Sequence, residues 1–132
     1  MISFSNEDTP QNALRIAVKH GILLPKGDRM YEYFEYDIEN ASFEWDEEKE
    51  LQNFKKHGIH FTTATKVFLD PNKLIRKDQE HTEEERYNIL GKVGKVLFVV
   101  CAFREENAVR LISARIASVP ERERYDYGEN EF

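Results

Sequence analysis

Two stretches decide the fold: Lys95-Val-Leu-Phe-Val-Val-Cys-Ala-Phe103 and, shortly after it, Val109-Arg-Leu-Ile-Ser-Ala-Arg-Ile-Ala117. The first is almost unbroken in apolar residues, as expected of a central strand buried on both faces. The second alternates, the pattern of a strand with one face in the core and one open. Strict alternation puts Ile112, Ala114 and Ile116 on the core face and Leu111, Ser113 and Arg115 on the open face. Glu105-Glu-Asn107 between the two stretches has hairpin length, as does Gly91-Lys-Val-Gly94, which leads back to a strand over 86–90. A further strand is expected over 72–77. Cys101, mid-strand, reads as core.

Helices flank these strands. Phe43-Glu-Trp45 reads as a short strand, after which Asp46 can cap a helix whose first turn carries Glu47 and Glu48, complementing the positive end of its dipole. Leu51 and Phe54 share its apolar face, and Gly58 ends it. Thr62 or Thr63 can cap a second helix striped by Ala64, Val67 and Phe68 and stopped by Pro71. Ser118-Val-Pro-Glu121 fits a capping box that opens a last helix through Arg122 and Tyr125. The fold class is therefore α+β: two helices, a mostly antiparallel sheet, then a C-terminal helix. Residues 1–41 form an N-terminal extension to the domain at 42–132. It carries a helix from Thr9-Pro10 to Gly21, the Pro25-Lys-Gly27 turn and a strand over 30–38 that could add to a sheet edge or pair with a second copy.

The chain has 132 residues, a length that suits one domain, with 40% hydrophobic, 33% charged and 12% aromatic residues. That composition argues against wholesale disorder. One cysteine excludes a disulfide framework, and no apolar run is long enough to span a membrane. The first residues lack a basic segment followed by an apolar one, so nothing marks export and a cytoplasmic location is expected. The net charge of −6 would disfavour nucleic acid, but the charge is polarised. Arg86, Lys92, Lys95, Arg104, Arg110 and Arg115 face only Glu105 and Glu106 over 86–115. A local positive field is what a polyanion would meet.

From Phe43 to about Tyr127 the sequence resembles the BrnT family. The residues that carry the likeness are Phe43-Glu-Trp45-Asp46, Lys49, Asn53-Phe-Lys-Lys56-His57-Gly58, Phe61, Ala64, Val67-Phe68 and Asp70-Pro71. They continue with His81, Glu84-Glu85-Arg86-Tyr87, Ile89-Leu-Gly91, Arg110-Leu-Ile-Ser113-Ala-Arg115, Ala117, Glu121-Arg122 and Tyr125. The resemblance implies a RelE-like fold and the toxin component of a type II toxin–antitoxin module. It further implies a metal-independent endoribonuclease, with no cofactor, that arrests translation until a ribbon-helix-helix type antitoxin neutralises it. Operator DNA would be met only through that antitoxin. The chain departs from the family pattern at Ile116, where a second basic residue is usual, and in its first 41 residues.

RNA cleavage without metal uses the 2′-hydroxyl as nucleophile and needs a base, an acid and charge stabilisation on the phosphate. Arginine suits the last task through its permanently charged, two-pronged donor set. The expected catalytic set is Arg115, Ser113, Arg86, His57 and His81, with Arg122, Tyr125, Arg110 and Lys56 binding RNA and no residue binding metal. Simpler roles stand beside these. Arg115 can pair with Glu121 or Glu123, and Arg86 with Glu83, Glu84 or Glu85. Arg104 and Arg110 can flank a solvated turn, Tyr125 can pack against the sheet, and His57 can serve the end of its helix. A non-catalytic binding module of the same fold is the alternative function.

Overall fold

The computed structural model describes residues 22–26, 29–36, 41–80, 84–104 and 107–128. The helix expected over the first residues and His81 lie outside them. Strands β1 (Ile22–Lys26) and β2 (Arg29–Tyr36) pair antiparallel in a two-stranded sheet of their own. The strand expected near 30–38 thus forms, but as half of a hairpin and not as an added edge of the main sheet.

The main sheet has five strands in the order β3-β7-β6-β5-β4. These are β3 (Ser42–Glu44), β4 (Leu74–Lys77), β5 (Tyr87–Val93), β6 (Lys95–Arg104) and β7 (Ala108–Ile116). All neighbours run antiparallel except β3, which is parallel to β7. β6 lies at the centre and is buried on both faces, as its sequence requires. β5 runs to Val93, past the turn expected at Gly91. Gly91 pairs with Leu97 within the strand, and glycine is needed there because a Cβ would come within 2.6 Å of the Cβ of Val67.

Helix α1 (Glu47–His57) is capped by Asp46, whose carboxylate accepts from the Lys49 N–H at 3.0 Å, and ends at Gly58 with φ 72°. Its apolar stripe behaves differently from expectation. Leu51 and Phe54 are exposed, and the one buried residue of α1 is Asn53. The Asn53 amide donates to the Ala114 carbonyl at 2.9 Å and to the Ile59 carbonyl at 3.1 Å, and accepts from the Ala114 N–H at 3.1 Å. It thereby satisfies the backbone of β7 beyond the short β3, where an unpaired edge would otherwise stand. Phe54 stacks on His60 instead. The second helix is also shorter than read. α2 (Phe61–Ala64) starts after His60 without a side-chain cap and continues as a 3₁₀ turn, Thr65–Leu69.

α2 and the 3₁₀ turn bury Phe61, Ala64, Val67 and Phe68 against one sheet face, with Ile75, Tyr87, Ile89, Leu97, Val99, Cys101, Val109, Leu111 and Ala114. Burial pushes the Cys101 thiol well above its ordinary pKa, consistent with a core role. The other face carries a smaller cluster, Leu74, Leu90, Val96 and Phe98. Helix α3 (Val119–Tyr127), opened by the expected capping box of Ser118 and Glu121, sets Tyr125 against that cluster. Among the described residues no helix is long and apolar enough to cross a membrane.

β7 contains an irregularity in its pairing with β6. Val100 pairs with Ser113 and Cys101 with Leu111, so Ile112 is an extra residue, a β-bulge. The alternation therefore reverses there. Leu111 is in the core and not on the open face, whereas Ala114 faces inward and Ser113 and Arg115 outward, as expected. Ile116, expected in the core, is 46% exposed.

Candidate functional site

The half-covered sheet face is built in rows, because residues paired across antiparallel strands share a face. Arg110 pairs with Ala102, and Ala102 is flanked on its other side by Arg86, one residue before the Tyr87–Cys101 pair. The next row holds Arg76, Asn88, Val100 and Ser113, and the one after it Leu74, Leu90, Phe98 and Arg115. Arg110 and Arg115 are five positions apart, which in a regular strand would put them on opposite faces. The bulge at Ile112 brings them to the same one.

Glu84 joins the first row. Its carboxylate lies 3.3 Å from Arg86 Nε and 4.0 Å from Arg110 Nη1, so one anion is held between two guanidiniums above the small Ala102 side chain. Arg104 lies at the same end and meets Glu44 at 3.8 Å. It pairs with Ala108, so Arg104 and Arg110 are diagonal neighbours across the β6–β7 pair. These groups are partly exposed, and such ion pairs contribute only about 0–1 kcal/mol. A phosphate can therefore exchange for the carboxylate at little cost.

Arg115 is held more tightly. Its Nη1 and Nη2 donate to the two Glu121 oxygens at 2.8 and 3.0 Å, and its guanidinium lies 4.1 Å from the centre of the Phe98 ring. Burial alone would raise the Glu121 carboxyl. Hydrogen bonds from Arg115 and Ser118, with the Arg115 charge, outweigh burial and hold it below its ordinary value. This two-pronged contact fastens α3 to β7, the simpler of the two roles the sequence allowed for Arg115.

Tyr125 packs against the sheet, one of the two roles the sequence allowed for it. Its ring lies in the smaller cluster and its hydroxyl donates to Asp70. Asp70 is a junction, accepting also from the backbone N–H groups of Asn72 at 2.9 Å and Lys92 at 2.7 Å. Beside it Lys73 is 1% exposed, its ammonium donating to the Asp70 carbonyl. Burial lowers its pKa to about 8, against the opposing pull of Asp70.

Lys56 and His57 stand in the last turn of α1, where a basic residue meets the negative end of the helix dipole. Among the described residues, no hydrogen bond or ion pair links either one to Arg86, Arg110, Ser113 or Arg115. Arg122 is separate too. It lines a cleft of about 480 Å³ at the Lys95 end of the sheet, together with Lys92, Lys95, Ile116 and Asp126. The structure thus unites Arg86, Arg110, Ser113 and Arg115 on one face and leaves Arg122, His57 and Lys56 off it. Sequence reading missed Arg76, whose Nε donates to Asn88 Oδ1 at 3.0 Å in the same face. The signal was its even spacing from Leu74, in a strand too short to establish a period.

Comparison with known proteins adds two findings. Residues 45–121, more than half of the chain, match the family described as the ribonuclease toxin, BrnT, of type II toxin-antitoxin systems. The chain is also similar to the 1.1 Å crystal structure of the Brucella abortus ribonuclease toxin BrnT, with 24% identity and a TM-score of 0.48, covering 60% of this chain and 99% of that one. No curated protein matches.

Proposed function

Since the chain belongs to the BrnT family of type II toxin–antitoxin ribonuclease toxins, we propose that its half-covered sheet face grips one phosphodiester of RNA between Arg86 and Arg110. The carrying observation is Glu84, a single carboxylate in reach of both guanidiniums. A phosphate displacing it would take over the Arg86 hydrogen bond and the Arg110 charge, with Arg76 and Ser113 in the adjacent row. The 2′-hydroxyl beside the held phosphate attacks phosphorus and gives its proton to a base. The bond to the 5′-oxygen breaks, and that oxygen takes a proton, leaving a 2′,3′-cyclic phosphate and a 5′-hydroxyl end. Arginines at the phosphate stabilise the added charge of the intermediate. The acid–base work falls to His81, which is three residues from Glu84 in sequence, and not to His57 in α1.

The chemistry so written needs no metal, and its consequence is arrest of translation. A ribbon-helix-helix type antitoxin neutralises the toxin and carries the pair to operator DNA. Activity resides in residues 42–132, while residues 1–41 serve assembly, a homodimer through their strands being the simplest form. The full chain, purified free of antitoxin, should cut RNA in the presence of EDTA and leave cyclic-phosphate ends. Cleavage that stops with EDTA would dismiss the mechanism. The carboxylates on Arg86, Arg104, Arg110 and Arg115 favour one other reading, a face that binds RNA or protein without cutting. Tight binding of RNA that stays intact would establish it.

A further inference from the structure

We propose that the cleft between the β5–β6 turn and α3 is a second contact for RNA, holding the sugar–phosphate chain away from the bond that is cut. The inference rests on the ribonuclease reading and extends it to residues outside the sheet-face grip. Lys92, Lys95 and Arg122 line the opening, with Asp126 as its one lining carboxylate. Unlike the sheet-face arginines, none of these three cations makes an ion pair among the described residues.

Three cations around one concavity repel each other, and a bound polyanion relieves that repulsion. The remaining lining is apolar, Val96, Ile116 and Ala117, and gives a sugar or base edge a dry surface. Ile116, 46% exposed, adds an apolar contact at the mouth of a site whose positive charge comes from Lys92, Lys95 and Arg122. The backbone below is fixed, since the Lys92 N–H is bonded to Asp70 and the Ala117 N–H to the Val96 carbonyl. Arg86 and Lys92 are six residues apart along one strand, a separation of about 20 Å. A dinucleotide cannot reach both regions. A strand of several nucleotides can.

The test is binding of a fully 2′-O-methylated, single-stranded oligonucleotide of about twelve nucleotides to the full chain, between about 50 and 200 mM salt. The methyl groups remove the nucleophile, so binding is read apart from cleavage. Lys92→Gln with Lys95→Gln should weaken binding about tenfold at low salt. It should also flatten the salt dependence by about 1.4 in slope, two phosphate contacts at about 0.7 each. Cleavage of a dinucleotide should be unchanged, and Lys92→Arg with Lys95→Arg should restore the native slope. A slope equal to the native one in the glutamine variant overturns the proposal, and so does failure of the arginine pair to restore it. Loss of antitoxin binding with an unaltered slope also overturns it, making the cleft a protein surface. If the native chain leaves unmodified RNA intact while the glutamine variant still flattens the slope, the cleft stands and the ribonuclease reading falls.

Discussion

The two basic regions of this molecule are made of the same kinds of side chain and held in opposite ways. On the sheet face each of Arg86, Arg104, Arg110 and Arg115 meets a carboxylate, whereas among the described residues Lys92, Lys95 and Arg122 around the cleft make no ion pair. A guanidinium held by a carboxylate is oriented before a ligand arrives, at the cost of displacing that carboxylate. An unpaired ammonium is not oriented, but it projects its full field into solvent and acts at a distance limited by the Debye length. The difference teaches that geometry belongs to the face and attraction to the cleft.

That division can be broken in order of expected size. Replacing Arg86 and Arg110 together by Ala should lower RNA cleavage by roughly 10²–10³-fold, the scale of losing a charge-stabilising donor, as measured by product formation in EDTA. An unchanged rate would remove the face from the chemistry. Next, Arg115→Ala should cost about 1–2 kcal/mol in urea unfolding, because it undoes the joint to α3 and leaves Glu121 half-buried, while cleavage changes by less than tenfold. The sign of its pH dependence follows from the lowered Glu121 carboxyl. The joint stabilises the fold above the ordinary carboxylate range and is lost as pH falls through the depressed value, so the variant should lack this acid-side loss. Smallest, Glu84→Gln should free both guanidiniums and tighten RNA binding about two- to fivefold, with stability altered by less than about 1 kcal/mol. Weaker binding would make Glu84 an orienting partner that the site needs.

Much of the fold was legible where its cause is local. Asp46 and the Ser118–Glu121 box cap their helices as read, and β6 is central because nothing polar interrupts it. The candidate site was legible in its parts and not in its assembly. Ser113 and Arg115 share the open face, but the place of Arg110 beside them depends on Ile112 being an extra residue. A bulge has no composition signal of its own, since Leu111-Ile-Ser113 fits either register by hydrophobicity. Asn53 was unreadable for a related reason: its partners on Ala114 lie far along the chain, so Leu51 and Phe54 looked like the buried face.

By itself the sequence determined the order of helices and strands from Phe43 onward and the starts of α1 and α3, because caps and periods are set by neighbours a few residues apart. It did not place the uncapped start of α2 or strand β1. Only the tertiary structure decided which cations stand together and which are neutralised. The bulge turns Arg110 to the face of Arg86, α3 lays Glu121 across Arg115, and the ends of β5, β6 and β7 close with α3 around the cleft. Charges interact through space over several ångströms, and the chain fixes those separations only when the sheet and its last helix are packed.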